Sequence, residues 1–166
     1  MIDQPTFETA TSKVWFLQTA EDTGGQAHVQ RVEYAPDSGF PPTHYHPFQD
    51  ERFEVESGEM LAIVDGEKRR LGAGEVLEIE QGTRHTMRNP SKEAPAVVKW
   101  ETTPALRTGE FHLAAAGLEK GSGLFDRAAF AHEFRDVFRL PGLQGVLVLL
   151  LARLGSTKGR GSSARR

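Results

Sequence analysis

The sequence contains no cysteine. This absence excludes disulfides, thiol nucleophiles, thiolate zinc sites and iron–sulfur clusters, so a bound metal ion would need histidine and carboxylate ligands. Long hydrophobic runs are also missing. The longest, residues 146–152, is far shorter than the roughly 20 residues that a membrane-spanning helix needs. Residues 1–5 carry an acid where a secretory signal would carry basic residues. We therefore expect a soluble, cytoplasmic protein.

The excess of charge of one sign is small. The 166 residues include 20 Lys and Arg against 23 Asp and Glu, a formal net charge of −3. This balance, together with the lack of a helix-turn-helix pattern, argues against nucleic acid as a partner. The charge is unevenly placed, because five basic residues and no acid follow residue 151. Residues 1–151 therefore hold 15 basic and 23 acidic residues, a net charge of −8, and precede a basic tail.

Short β-like runs separated by Gly, Pro, Asp and Ser extend from about residue 12 to residue 103, and their spacing is typical of an all-β sandwich or barrel. Asp65-Gly66 predicts a tight hairpin turn. In the run 51–57, alternation places Glu51, Phe53 and Val55 on one face, which we expect to point inward. The predicted strands are 13–18, 27–34, 51–57, 60–64, 68–71, 76–79, 85–89 and 96–101.

The pattern changes to a helical period after Pro104. Apolar stripes over 111–118 and 130–138 predict two helices, the second ended by Pro141-Gly142. A third helix, from Leu143 to Leu154, is apolar nearly all round, so we expect it to be covered. Three alternatives remain for its cover: the barrel itself, a second copy in a homodimer, or a membrane surface, which we consider the least favoured.

Four residues carry the metal-binding chemistry of the sequence: His44, His46, Glu51 and His85. On an extended segment, residues two apart point to the same face, so His44 and His46 can bind one ion together. Glu51 opens the inward face of the next strand. Three neutral imidazoles and one carboxylate suit a first-row divalent metal. The remaining histidines, His28, His112 and His132, are predicted to be surface or core residues.

Glycines frame the four candidate ligands, and their order and spacing resemble the two motifs of the cupin superfamily. The first spacer is one residue short, and Glu80 stands where the family usually has proline. That change should make the turn less rigid, but it removes no ligand. The matching positions are Gly39, His44, His46, Glu51 and Gly58 in the first motif, and Gly74, Gly82, His85 and Asn89 in the second.

The resemblance, which covers about residues 12–103, implies an all-β fold, a double-stranded β-helix or jelly-roll barrel. A C-terminal helical extension follows, similar to that of some single-domain bacterial cupins (monocupins). We assign the cupin barrel to residues 1–104 and a helical extension, packed on the barrel or on a partner, to 105–155. A flexible basic tail is assigned to 156–166.

The resemblance also implies a function. A divalent metal ion (Fe, Mn, Ni, Co or Zn) would be held by His44, His46, Glu51 and His85, with Glu51 as a candidate catalytic base. The prediction is a small-molecule-converting metalloenzyme, dioxygenase-like or isomerase-like, that acts on a chelating substrate. The alternatives are a non-catalytic module that binds a small ligand and a metal-stabilised scaffold. The predicted pocket wall consists of Phe48, Phe53, Met60 and Met87.

Overall fold

The computed structural model of the protein describes residues 4–118 and 122–158, with only the backbone described for Leu149 and 153–158. Strands occupy the first part and helices the second. The strands are β1 (Phe7–Glu8), β2 (Ser12–Gln18), β3 (His28–Tyr34), β4 (Asp50–Ser57), β5 (Glu59–Val64), β6 (Glu67–Gly72), β7 (Val76–Ile79), β8 (His85–Arg88) and β9 (Ala96–Thr103). The helices are α1 (Thr108–Gly117), α2 (Leu124–Glu133) and α3 (Gly142–Lys158).

The strands form two antiparallel sheets, a larger one in the order β1-β2-β3-β9-β4-β7 and a smaller one in the order β6-β5-β8. This arrangement confirms the predicted jelly-roll barrel with a C-terminal helical extension. All eight predicted strands are present, with ends that shift by at most two residues. The prediction missed β1, because two residues are too few to show an alternating pattern.

The core lies between the two sheets and follows from the period-two pattern of the strands. In β4, Phe53 and Val55 point inward and are 2% and 0% exposed. Met60 and Ala62 of β5 face them from the smaller sheet and are fully buried. Each large apolar side chain buried in this way contributes about 1.5–3 kcal/mol. The inward face of β4 also carries Glu51, as the alternation predicts, and the acid is 3% exposed.

Two turns require their particular residues. At the hairpin between β5 and β6, Asp65 and Gly66 have φ values of 47° and 90°, which confirms the predicted tight turn. Gly58, between β4 and β5, has a φ of 77°, and a Cβ atom there would lie 2.6 Å from the carbonyl oxygen of Pro95. Only glycine fits that position without a backbone shift.

The second helix ends earlier than predicted. Its apolar stripe continues to residue 138, but α2 stops at Glu133 and is followed by turns. The backbone instead pairs with the segment before β4: the amides of Tyr45 and Arg139 each donate to the other residue's carbonyl at 3.0 Å. At Arg139 the bond to the barrel replaces a helical one, whereas the amides of Val137 and Phe138 still donate to the carbonyl of Phe134 at 2.9 and 2.8 Å. The predicted end at Pro141-Gly142 was therefore wrong, and the segment 134–140 lies against the barrel.

The third helix packs against α2 but is not covered on all sides. Leu143 is 87% exposed, and Val146, Leu147 and Leu150 are about half exposed. The barrel and α2 therefore leave these described side chains uncovered, and cover by a second copy or by a membrane surface stays a prediction. None of the described helices is long and apolar enough to cross a membrane. Of the tail predicted over 156–166, residues 156–158 continue α3, and 159–166 lie outside the described residues.

Candidate metal centre

The barrel brings the four predicted ligands to one place. His44 and His85 face each other across a two-residue bridge, with backbone N–O distances of 3.1 and 2.8 Å. His46 leaves the same face as His44, and Glu51 lies on the inward side of β4. Candidate ligand nitrogens of the three histidines lie within 4.8 Å of one another. The carboxylate of Glu51 lies 3.2 Å from Nε2 of His46 and 2.9 Å from Nε2 of His85.

Each histidine ring is fixed by a hydrogen bond on its outer side. In all three, Nδ1 lies within hydrogen-bond distance of a backbone carbonyl, which can only accept. Nδ1 therefore carries the proton, and the Nε2 lone pair is left free to bind a metal ion. The acceptors are the carbonyls of Pro42 for His44 (2.8 Å), Val137 for His46 (2.6 Å) and Thr83 for His85 (3.0 Å).

Burial and mutual contact shift the pKa values of the cluster. Burial, with the charges of His85 and His46, lowers the pKa of His44 to about 3. Burial also lowers the pKa of His46. Burial alone would raise the pKa of Glu51, but contacts with His46 and His85 outweigh it and lower the pKa to about 2. Burial opposes the charge on His85, yet its contact with Glu51 raises the pKa. The carboxylate is thus ionised, as metal binding requires.

The cluster fits a divalent cation. Four buried side-chain atoms among the described residues lack a hydrogen-bond partner, and two of them, Nε2 of His46 and Oε2 of Glu51, lie here. Oε2 makes a close ion-pair contact with His85 but lacks the alignment of a hydrogen bond. Unsatisfied buried polar atoms cost about 1–3 kcal/mol each. A cation bound by the cluster would satisfy both, and three imidazoles with one carboxylate suit first-row divalent metals.

A tryptophan of β9 forms a hydrogen bond with Glu51. Nε1 of Trp100 donates a hydrogen bond to Oε1 of Glu51 at 3.1 Å. The indole packs against Phe53 of β4 and, edge-on, against His112 of α1, at ring distances of 5.1 and 4.8 Å. Trp100 was not among the site residues predicted from the sequence. Its place in β9, two residues after the inward-facing Val98, was the signal that could have found it.

The C-terminal extension reaches the metal centre. Besides the Val137 carbonyl that holds His46, the ring of Phe138 lies 4.8 Å from the ring of His44. Neither contact was predicted from the sequence. A carbonyl is common to every residue, and the stripe that contains Phe138 was assigned to a helix. The extension therefore fixes one histidine and covers another.

The four predicted pocket residues have different surroundings. Phe53 is buried, and its ring lies 6.4 Å from that of His85. Met60 and Met87 are core residues, 0% and 6% exposed. Phe48 is 55% exposed and lies under the guanidinium of Arg139. Phe53 therefore lies beside the histidine cluster, whereas Phe48 lies at the surface.

The other histidines lie outside the cluster. His28 is buried in β3 and contacts Gln30 through Nε2 at 3.3 Å. The Gln30 amide also contacts Nε2 of His112, at 3.2 Å, and His132 lies in α2. The three-histidine group found in the described residues does not include them.

Fold and site together define a double-stranded β-helix protein with histidines and a carboxylate converging inside the barrel. Residues 30–100 match the family model of the Cupin domain, so the barrel of this chain is a cupin domain. It is 34% identical over 73 residues to the tetracenomycin polyketide synthase protein TcmJ of Streptomyces glaucescens. The match covers 44% of this chain and 48% of that protein, so the chain spans about half the length of its relative.

Solved structures show the same fold at low sequence identity. Ectoine synthase from P. lautus superposes with a TM-score of 0.52 and 17% identity, over 66% of this chain and 76% of the other. An uncharacterized conserved protein with a double-stranded beta-helix domain from Klebsiella pneumoniae gives a TM-score of 0.52 and 18% identity, over 63% and 86% of the two chains. These similarities concern the fold alone.

Proposed function

We propose that the protein is a metal-dependent enzyme that converts a small chelating substrate, in a dioxygenase-like or isomerase-like reaction. The observation that carries this proposal is that two buried atoms without a hydrogen-bond partner, Nε2 of His46 and Oε2 of Glu51, lie together with His44 and His85. The barrel would correspond to residues 1–104, the helical extension to 105–155 and the tail to 156–166.

His44, His46, Glu51 and His85 would hold the metal ion. A bound divalent ion would act as a Lewis acid toward oxygen atoms of a chelating substrate. The chain itself holds the imidazoles in one tautomer, so no reorientation is needed when the site is loaded. Trp100 binds Oε1 of Glu51, so Oε2 would be the atom that binds the ion, and Glu51 would act as a base only with Oε2 released from it.

The curated relative supports a substrate class. TcmJ is a protein of a tetracenomycin polyketide synthase, and polyketide-like diketones and enediols chelate metal ions through neighbouring oxygens. The apolar ring of Phe53 beside His85 would suit an aromatic or polyketide-like body better than a sugar.

The alternative is a closed, metal-stabilised scaffold or a non-catalytic ligand-binding module. The position of Phe138 over His44 favours this alternative, because the ring restricts approach to one ligand. Metal identity separates the two. Four protein ligands nearly saturate tetrahedral zinc, whereas octahedral Fe, Mn, Ni or Co keeps positions open for substrate. The exposed side of α3 further supports a homodimer as a proposal, which light scattering would test.

The decisive experiment is elemental analysis of the protein purified without chelators or a metal-binding tag. We expect near-stoichiometric Fe, Mn, Ni or Co, lost in the double variant His44→Ala/His46→Ala and reduced in Glu51→Gln. His132→Ala, a histidine change outside the cluster, serves as the matched control and should retain the metal. Full metal content in the double variant would reject the site, and zinc alone would favour the scaffold.

A further inference from the structure

A cavity of about 380 Å³ lies next to the metal centre, between the segment 134–140 and helices α2 and α3. Its walls are largely apolar and include Ala131, Phe138, Leu140 and Val146. Its volume is in the range of small-molecule sites, which span about 300–1,000 Å³. None of the four predicted metal ligands lines it. The cavity is thus a separate feature from the site already described.

Two arginines give this cavity its charge. Arg135 and Arg139 line it, and none of the described lining residues is acidic. Each guanidinium uses one nitrogen to bind a main-chain oxygen: Arg135 binds the carbonyl of His132 at 3.0 Å, and Arg139 that of Arg135 at 2.8 Å. Other N–H groups of both side chains remain for a ligand. An apolar cavity with two cations suits a molecule that is apolar at one end and anionic at the other.

Two acidic residues line an adjoining groove. Glu133 and Asp136 line that groove together with both arginines and Arg107. Asp136 is bound by Arg107, whose guanidinium donates to the carboxylate at 2.8 and 3.2 Å. One acid is therefore already paired with an arginine that does not line the apolar cavity. On the cavity side, the positive charge of Arg135 and Arg139 is not matched by a lining acid.

One wall separates the cavity from the metal centre. The ring of Phe138 lines the cavity and also lies 4.8 Å from the ring of His44. Tyr45, which stands between the two ligand histidines in the sequence, lines the cavity as well. A molecule in the cavity would therefore contact the residues that cover and flank His44.

We propose that this cavity binds a small amphipathic carboxylate, with its apolar body against Phe138 and Val146 and its acid group at Arg135 and Arg139. The binding itself requires no metal.

The test uses octanoate and octanol, which share an apolar chain and differ in charge. Isothermal titration of the full-length protein should show octanoate binding at least about tenfold tighter than octanol, since a charged hydrogen bond contributes about 1.5–3 kcal/mol. Octanoate affinity should be the same, within about twofold, before and after removal of metal by a chelator. Binding that needs the metal would mean that the carboxylate binds the ion, and would overturn the proposal.

Variants locate the site. Arg135→Gln and Arg139→Gln should each weaken octanoate binding by about tenfold or more, while Arg70→Gln, which removes an exposed arginine of β6, should have no effect. Ala131→Phe fills the cavity without a change of charge and should also abolish binding. Loss in the arginine variants but normal binding in Ala131→Phe would place the anion elsewhere and overturn the proposal. Thermal melts of each variant establish that it is folded.

The outcomes separate this proposal from the proposed function. Metal uptake without octanoate binding would reject the cavity and leave the metal centre intact. Octanoate binding without any metal uptake would support the cavity and reject the metalloenzyme.

Discussion

Replacing Trp100 with phenylalanine would remove one hydrogen-bond donor from the metal centre and retain most of the aromatic surface. The indole N–H donates to Oε1 of Glu51 at 3.1 Å, and a phenyl ring has no donor. Packing against Phe53 and His112 would largely persist, because both contacts are made by the rings. The change therefore tests the hydrogen bond with little loss of apolar contact.

The expected size of the effect follows from the charge on Glu51. A hydrogen bond to a charged group contributes about 1.5–3 kcal/mol. Since each 1.4 kcal/mol corresponds to a factor of about ten, the loss corresponds to a metal affinity about 10–100 times weaker. Removal of hydrogen-bond partners of metal ligands in other sites costs about the same factor. We expect the Kd of Trp100→Phe for Co²⁺ or Ni²⁺ to rise by that amount.

The assay is competition with a chromophoric chelator, with Trp15→Phe as the matched control. Trp15 is the other tryptophan of the sequence and lies in β2, half-buried and away from the ligands. A double-mutant cycle with Glu51→Gln shows whether the effect acts through the carboxylate: the tryptophan change should lose most of its effect when Glu51 is already neutral. A Kd within about twofold of the unaltered protein in Trp100→Phe would refute the reasoning.

Two further predictions concern stability. Burial and the nearby His28 lower the pKa of His112 to about 3, so the folded protein keeps this ring neutral where the unfolded chain takes up a proton. Stability should therefore fall as the pH drops below about 6.5, by up to about 1.4 kcal/mol per pH unit from this residue. In urea melts, the free energy of unfolding of His112→Leu should depend less steeply on pH, by the equivalent of one bound proton. An unchanged slope would contradict this. Asn89→Ala removes an amide that binds three main-chain carbonyls at 2.8–3.3 Å and should cost about 2–4 kcal/mol in urea melts, whereas the exposed Gln81→Ala should cost nearly nothing.

The barrel could be predicted from the sequence because strand alternation is a local property. Glu51, Phe53 and Val55 alternate with charged residues along β4, so they share the inward face of the strand. The register of β4 with β9 keeps that face toward the core. Trp100 was predictable on the same grounds, since it pairs with Phe53 across the two strands. The convergence of the four candidate ligands needed the resemblance to a known fold as well, because His85 lies far along the chain from His44.

The contacts of the helical extension could not be predicted in this way. The apolar stripe over 130–138 is a helical pattern, and nothing local in it marks Glu133 as the last helical residue. After Glu133 the backbone forms turns, and it then binds the barrel through Tyr45–Arg139 and through the Val137 carbonyl that accepts from His46. Such contacts depend on where the barrel places its partners, and the carbonyl carries no side-chain signature.

The same hydrogen bond links the end of the helix to the metal centre. In a helix, the carbonyl of Val137 would point along the helix axis toward residue 141, which is a proline and has no N–H to donate. A helix continued past Val137 would therefore leave that carbonyl without a donor and turn it away from the Nδ1 proton of His46. Without an acceptor, the imidazole could adopt either tautomer, and the one that protonates Nε2 cannot bind a metal ion through that nitrogen. The break in the apolar stripe is therefore part of the geometry that presents His46 to a cation. Substitutions in 134–140 that restore helix should weaken metal binding even though no ligand is changed.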